Sequence, residues 1–144
     1  MAESISYESY DSGKGLVLSI TNSVFGNLDE NEEGNVKYRQ GSEFDISKIS
    51  TCFGGSYMNV NFIEKINLRL YEMKKEIKNV QSKLKGDKNY KFLIILVSSH
   101  GTMQDRRTFV FDTDNKLLDV EQDVIAKFYN QNFRQFSGRP KIFS

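Results

Sequence analysis

Phe92 to Gly101 reads FLIILVSSHG. The six consecutive apolar residues from Phe92 to Val97 are too few for a membrane span, which takes about 20. They are also too uniformly apolar for a strand wetted on one side. The run predicts a strand buried on both faces, the kind found at the centre of a parallel α/β sheet. It leads into Ser98, Ser99, His100 and Gly101, and His100 is the single histidine of the chain. In open α/β sheets chemistry gathers at the carboxyl ends of central strands. A lone His there is either a catalytic group or a structural one, and the following Gly lets the backbone turn or approach a ligand.

The totals set the frame. A chain of 144 residues is one domain able to bury a real core. Twenty basic and 19 acidic residues leave a net charge of +1, so no overall field points to nucleic acid or membrane. One cysteine, Cys52, excludes an internal disulfide and fits a reducing compartment. The N-terminal MAESISYESYDSG has neither the basic nor the apolar region of a signal peptide. The expected setting is the cytoplasm, or the nucleus by diffusion.

Outward from the central strand, the chain divides into an N-terminal arm, 1–13, and a domain, 14–144. Gly15 to Ile20 (GLVLSI) predicts an inner strand. Thr21 to Val36 reads as a polar, acidic loop that packs against little. Phe44, Ile46, Ile49 and Phe53 recur at helical spacing, with Ser42 placed to cap the start and Gly54-Gly55 to stop the run. Tyr57 to Phe62 predicts a strand with Met58, Val60 and Phe62 on its buried face.

Ile63, Ile66, Leu70, Met73, Ile77, Val80 and Leu84 then follow alternating spacings of three and four residues. That pattern satisfies a coiled coil, but one amphipathic helix covering a sheet, ended by Gly86-Asp87, is the simpler reading. After His100, Thr108 to Phe111 and Lys116 to Val120 flank Asp112-Thr113-Asp114-Asn115, the composition of a small hairpin. Asp119 to Tyr129 predicts a helix with Val120, Val124, Ile125 and Phe128 inward, and Lys141 to Ser144 begins another strand. The order strand, helix, strand, helix, strand, hairpin, helix, strand predicts a mostly parallel sheet with helices on both faces.

Local chemistry is sparse. One His and one Cys give no metal-ligand cluster, and no cofactor is implied. Gly13-Lys14-Gly15 lacks the length and terminal Ser/Thr of a phosphate loop. Arg106-Arg107 is too short for a nucleic-acid patch. Cys52, beside Phe53 at the end of its helix, reads as a buried structural thiol rather than a nucleophile.

Five fragments together resemble the large-subunit half of a caspase. Gly15-Leu16-Val17-Leu18 with Ile20 and Asn22 resembles the family's first strand and the Asn after it. Arg39 to Asp45 resembles the R-x-G-[ST]-x-x-D segment, and Ser99-His100-Gly101 the S-H-G that carries the catalytic histidine. Phe109 to Asp114 resembles the F-G-T-D hairpin. Gly138 to Phe143 is similar to the G-K-P-K-[LI]-F that opens the strand leading to the nucleophile. The resemblance spans about residues 14 to 143.

It implies a caspase-like three-layer α/β fold: a mostly parallel central sheet, helices on both faces and a small β-hairpin, truncated in the last strand. It also implies that Arg39 lines a pocket for a substrate aspartate, because a planar guanidinium grips a carboxylate bidentately. His100, with Gly101 beside it, would pass a proton to the leaving amine. In caspases, however, a Q-A-C-x-G motif supplies the nucleophile roughly 50 residues after the His, which falls beyond Ser144.

Arg39, His100 and Gly101 are therefore expected to be vestigial, and the chain, with its own Met1, a complete pseudo-enzyme. The resemblance implies an inhibitor or decoy of caspases in apoptosis. Its partner would be a host caspase or procaspase, or a second copy in a homodimer, and neither nucleic acid nor membrane. The alternative is a large-subunit fragment of an active cysteine-dependent, aspartate-specific endopeptidase. A further alternative is a structural module serving an unrelated partner.

Overall fold

The computed structural model describes residues 13–26, 37–55 and 58–144. Residues 1–12 of the expected arm (1–13), most of the acidic loop (27–36) and Tyr57 lie outside them. The order is β1 (Lys14–Thr21), β2 (Val24–Phe25), β3 (Lys37–Tyr38), α1 (Ser42–Phe53), β4 (Val60–Ile66), α2 (Leu70–Gly86) and β5 (Tyr90–Ser98). Then follow β6 (Gly101–Gln104), β7 (Arg107–Phe111), β8 (Leu117–Asp119), a π-helical turn (Val120–Val124), 3-10 turns (Ile125–Phe128, Arg134–Phe136) and β9 (Lys141–Phe143). The main sheet has the order β4-β1-β5-β9, parallel throughout. Separate antiparallel sheets are β2-β3 and β6-β7-β8. The α/β class, the parallel sheet and the hairpin are as expected.

Handedness explains the layers. The chain moves from β1 outward to β4 through α1, then back across β1 to β5 through α2. Right-handed crossovers in opposite directions place their helices on opposite faces. Leu16, Leu18 and Ile20 of β1 and Leu93 and Ile95 of β5 meet Met73, Ile77, Val80 and Leu84 of α2 in one core, joined by Phe128, Phe133 and Phe136. Each of those fully buried side chains contributes about 1.5–3 kcal/mol. The helix is thus a single one lying on the sheet, as its amphipathic spacing suggests.

Its start differs from the expected position. Ile63 and Ile66 belong to β4, paired with Leu18 and Thr21 of β1, and the helix begins at Leu70. A three-residue spacing between two isoleucines fits either element, and here the exposed main chain of β1 supplies ladder partners that a helix would forgo. Asn67, at φ 57, then turns the chain.

The strand that is covered on both sides is β1, whose residues from Gly15 to Thr21 are all buried. In β5 only Tyr90, Leu93 and Ile95 are buried; Phe92, Ile94 and Leu96, on the opposite face, are half-buried. This corrects the expectation for 92–97. The cause is that α1 packs on β1 and β4, leaving the β5 and β9 side of that face partly open. Ile142 of β9 is 55% exposed there. Gly15 serves the same strand pair: a Cβ on it would stand 2.1 Å from the Phe92 ring.

α1 matches its expected span, with Gly41 (φ 85) rather than Ser42 at the cap position. Ser42 is the first helical residue, and its hydroxyl donates back to the Arg39 carbonyl at 2.9 Å. Residues 119–129 form irregular π and 3-10 turns in place of one α-helix, although Val124 and Phe128 are buried as expected.

Asp112 ties the hairpin to the core. It is fully buried. One oxygen accepts from the amide of Leu70 at 2.7 Å, satisfying the first turn of α2. The other accepts from Asp114 and Lys116. Asp112→Ala would strand these three amides and should lower stability by about 2–4 kcal/mol, read from urea unfolding. At the β6-β7 turn, Asp105 (φ 50) and Arg106 (φ 64) both hold left-handed backbone, which glycine tolerates far better. Arg106→Gly should therefore raise stability by about 0.5–1 kcal/mol, and a lower unfolding midpoint would contradict this account of the turn.

Candidate functional site

The chain leaves β1 in one direction and β5 in the other, so the crevice above their carboxyl ends is where an open α/β sheet places its ligands. Arg39 sits there. Its Nε donates to the Asn22 carbonyl (3.2 Å), just beyond β1. One terminal nitrogen reaches the Ser98 hydroxyl at the end of β5 (2.7 Å), and the other reaches an Asp45 oxygen on α1 (3.3 Å). The side chain is only 17% exposed. These bonds use three of the five guanidinium N–H groups, and the remaining two have no partner among the described residues.

Asn22 holds the other side of the crevice. It is fully buried, and its Oδ1 accepts from the Leu68 amide (2.9 Å). Its Nδ2 donates to the Phe111 carbonyl (3.2 Å). Thr21 and Asn22 are buried, and Phe25 is 3% exposed, so the start of the presumed loop packs firmly. The apolar pattern gave no warning, because Asn22 is polar and flanked by Thr21 and Ser23. The available signals were its place directly after an inner strand and its position at the end of the first fragment of the resemblance.

His100 is exposed. Its ring lies against Phe25, with centroids 4.5 Å apart, and its carbonyl accepts from the Phe111 amide at 2.8 Å. The His100 side chain makes no hydrogen bond among the described residues. Gly101 starts β6, where a Cβ would stand 3.2 Å from the Phe109 carbonyl oxygen. Arg39 and His100 thus reach the same end of the sheet. Beside them a cleft of about 540 Å³ is lined by Asp45, Lys48, Ile49, Leu96, Ser98 and Ser144, among others. Such an end can bind a carboxylate and move a proton.

No hydroxyl there is paired with the imidazole: Ser98 accepts from Arg39, and Ser99 donates to the Phe111 carbonyl at 2.6 Å. Among the described residues no group of three His, Cys, Asp or Glu could hold a metal ion. No described helix is long and apolar enough to cross a membrane.

Cys52 is exposed, against the expectation of a buried thiol. At about 3.6 residues per turn, Ser42, Ile46, Ile49 and Phe53 form the inward stripe of α1 and Cys52 stands off it. Phe44 points to the opposite side and is 71% exposed. Phe53 meets Phe62 of β4 at 6.1 Å. Cys52 lies about 15 Å along the helix axis from Ser42, toward the other end of the sheet from His100.

No model of a protein family matches this sequence, and no curated protein matches it. Among solved structures, the crystal structure of the Drosophila initiator caspase Dronc is similar, with a TM-score of 0.71 at 18% sequence identity. The likeness covers 90% of this chain and 46% of the Dronc chain. The fold is caspase-like, and the chain spans about half the length of that caspase.

The exposure of Cys52 has a direct check. The folded chain should react with Ellman's reagent without denaturant and release one thiol equivalent per molecule; a reaction that waits for denaturant would restore the buried thiol.

Proposed function

We propose that this chain is a protease-incompetent caspase homologue that regulates caspases, and through them apoptosis, by protein–protein binding. It acts as an inhibitor or decoy in the cytoplasm, on a caspase or procaspase of the same cell. One observation carries the reading. The single cysteine of these 144 residues is on the exposed side of α1, whereas His100 and Arg39 stand at the carboxyl ends of β5 and β1. An imidazole and a carboxylate-binding guanidinium without a thiol between them support recognition and not thiol-mediated acyl transfer. His100, Gly101 and Arg39 are then remnants of a site.

A second reading is favoured by Arg39 itself, which keeps two N–H groups unused among the described residues. In that reading the chain is the large-subunit part of an aspartate-specific cysteine endopeptidase, and residues outside these 144 supply the nucleophile.

Co-expression with an initiator or executioner caspase of the same host separates the two, read as cleavage of an aspartate-containing reporter. Lowered cleavage, with the caspase co-purifying and the effect surviving both His100→Ala and Arg39→Ala, is expected for the regulator. Unchanged cleavage without co-purification would sink it. Reporter cleavage by the chain's own complexes, abolished by His100→Ala, would establish the endopeptidase instead.

A further inference from the structure

The strands of the main sheet begin at the end opposite the crevice, and positive charge gathers there. Lys14 opens β1, Lys88 and Lys91 flank the start of β5, and Arg139 and Lys141 stand where β9 begins. Lys83 and Lys85 lie in the last turn of α2, and Arg134 belongs to the last 3-10 turn. Lys14 and the segments 83–91 and 134–141 hold eight bases and one acid, Asp87, whereas the rest of the sequence holds 12 bases and 18 acids. A chain of net charge +1 is thus strongly positive at this end and net negative over the remainder. The C-terminus of α2 brings about half a negative charge here, too little to offset the excess.

Aromatic rings, rather than carboxylates, hold these cations. Lys14 lies over Tyr90 at 4.7 Å from the ring centroid and Lys85 over Phe133 at 5.5 Å. Arg139 and Lys141 lie over Phe136 at 5.2 and 5.4 Å. All three rings are buried. A ring orients a cation with about 0.5–1 kcal/mol of attraction, yet leaves its charge in place. Arg139 Nη1 also donates to the carbonyls of Lys88 and Tyr90, at 3.3 and 2.6 Å. That leaves three of the five guanidinium N–H groups unused among the described residues. Lys141 Nζ donates to Asn130 Oδ1 and to the Arg139 carbonyl. Of the eight bases only Lys14 has a carboxylate partner among the described residues, Asp87 at 3.0 Å. The hydrogen bond to Asp87 raises the Lys14 pKa, whereas partial burial lowers that of Lys141. A cation that burial penalises, with no anion beside it, gains from one that arrives.

The patch is small. Lys14 pairs with Tyr90, and Lys141 with Leu93, so strand spacing and rise put Lys14 and Lys141 roughly 14 Å apart. A nucleic acid or a membrane surface would overrun those bounds and come within a Debye length, about 8 Å, of the negative remainder. With the three rings buried, no platform is open to stack a base. A peptide strand turns a side chain to one face about every 7 Å, so it would bring only about two or three carboxylates to the patch. Linked phosphate groups bring one to about two charges each over a shorter length, and a guanidinium with open N–H groups suits their oxygens.

We propose that this end of the main sheet binds a compact, soluble polyphosphate, a small molecule carrying several linked phosphate groups, held by Lys85, Lys88, Arg139 and Lys141. Arg39 and His100 stand at the other ends of the strands, so the site is independent of any action on caspases.

Calorimetric titration of the whole chain with sodium tripolyphosphate should show saturable binding that weakens about tenfold between about 50 and 200 mM salt. Lys85→Glu and Lys88→Glu should each weaken it about tenfold in chains that keep the native circular dichroism. Arg139→Lys keeps the charge and loses the planar fork, and should weaken it about fivefold. Lys116→Glu makes the same change in net charge at an exposed position of the hairpin turn, and should leave binding within about twofold.

Absence of saturable heat, or an equal loss in Lys116→Glu and Lys88→Glu, would overturn the proposal. So would a poly-glutamate peptide that binds as tightly as tripolyphosphate. Duplex DNA or phosphoinositide vesicles that hold the chain and are not displaced by tripolyphosphate would overturn it too.

Discussion

Asn22 follows β1 with no exposed surface, and each polar atom of its side chain has a distant partner. The carbonyl oxygen accepts from the Leu68 amide at the approach to α2, and the side-chain nitrogen donates a hydrogen bond to the Phe111 carbonyl in the hairpin. Its own amide bonds the Ser98 carbonyl at 2.8 Å, extending the β1-β5 ladder by one rung, and its main-chain carbonyl receives Arg39. Four segments distant in sequence meet at one residue. A buried amide is costly unless every group is paired, so the pairing that makes Asn22 tolerable also fixes where those segments stand.

Arg39 depends on that joint. A long cationic side chain is held at 17% exposure by a carbonyl after β1, a hydroxyl ending β5 and a carboxylate on α1, so the guanidinium faces the crevice in one orientation. Asp112 performs a comparable service for the hairpin, adding to the bonds that Asn22 and Ser99 make to the Phe111 carbonyl. With Asp112 satisfying the start of α2, the hairpin and the helix are joined at the end of the sheet that holds the crevice. His100 is placed by the same elements, through its carbonyl on Phe111 and its ring on Phe25.

The opposite flank is built differently. β1 lies under helices on both faces, whereas β5 and β9 have one well-covered face and, among the described residues, a partly open one on which Ile142 is exposed.

Much of this architecture was determined by the sequence itself. The apolar runs at 15–20 and 92–97, the helical stripe from Leu70 to Leu84 and the turn residues at 112–115 each specify an element through local periodicity and turn chemistry, and their order implies a parallel sheet. Arg39, His100 and Gly101 could be named from their segments. What only the tertiary structure decided depends on neighbours that periodicity does not record. Ile63 and Ile66 joined a strand because β1 offered ladder partners. Cys52 turned outward because the inward stripe of α1 runs through Ile49 and Phe53. Asn22 and Asp112, polar and unremarked by any apolar pattern, became buried joints because distant main-chain groups converged on them. Coverage of a strand, like pairing of an amide, is a property of what packs beside it, and here that proved to be β1 more than the stretch from Phe92 to Val97.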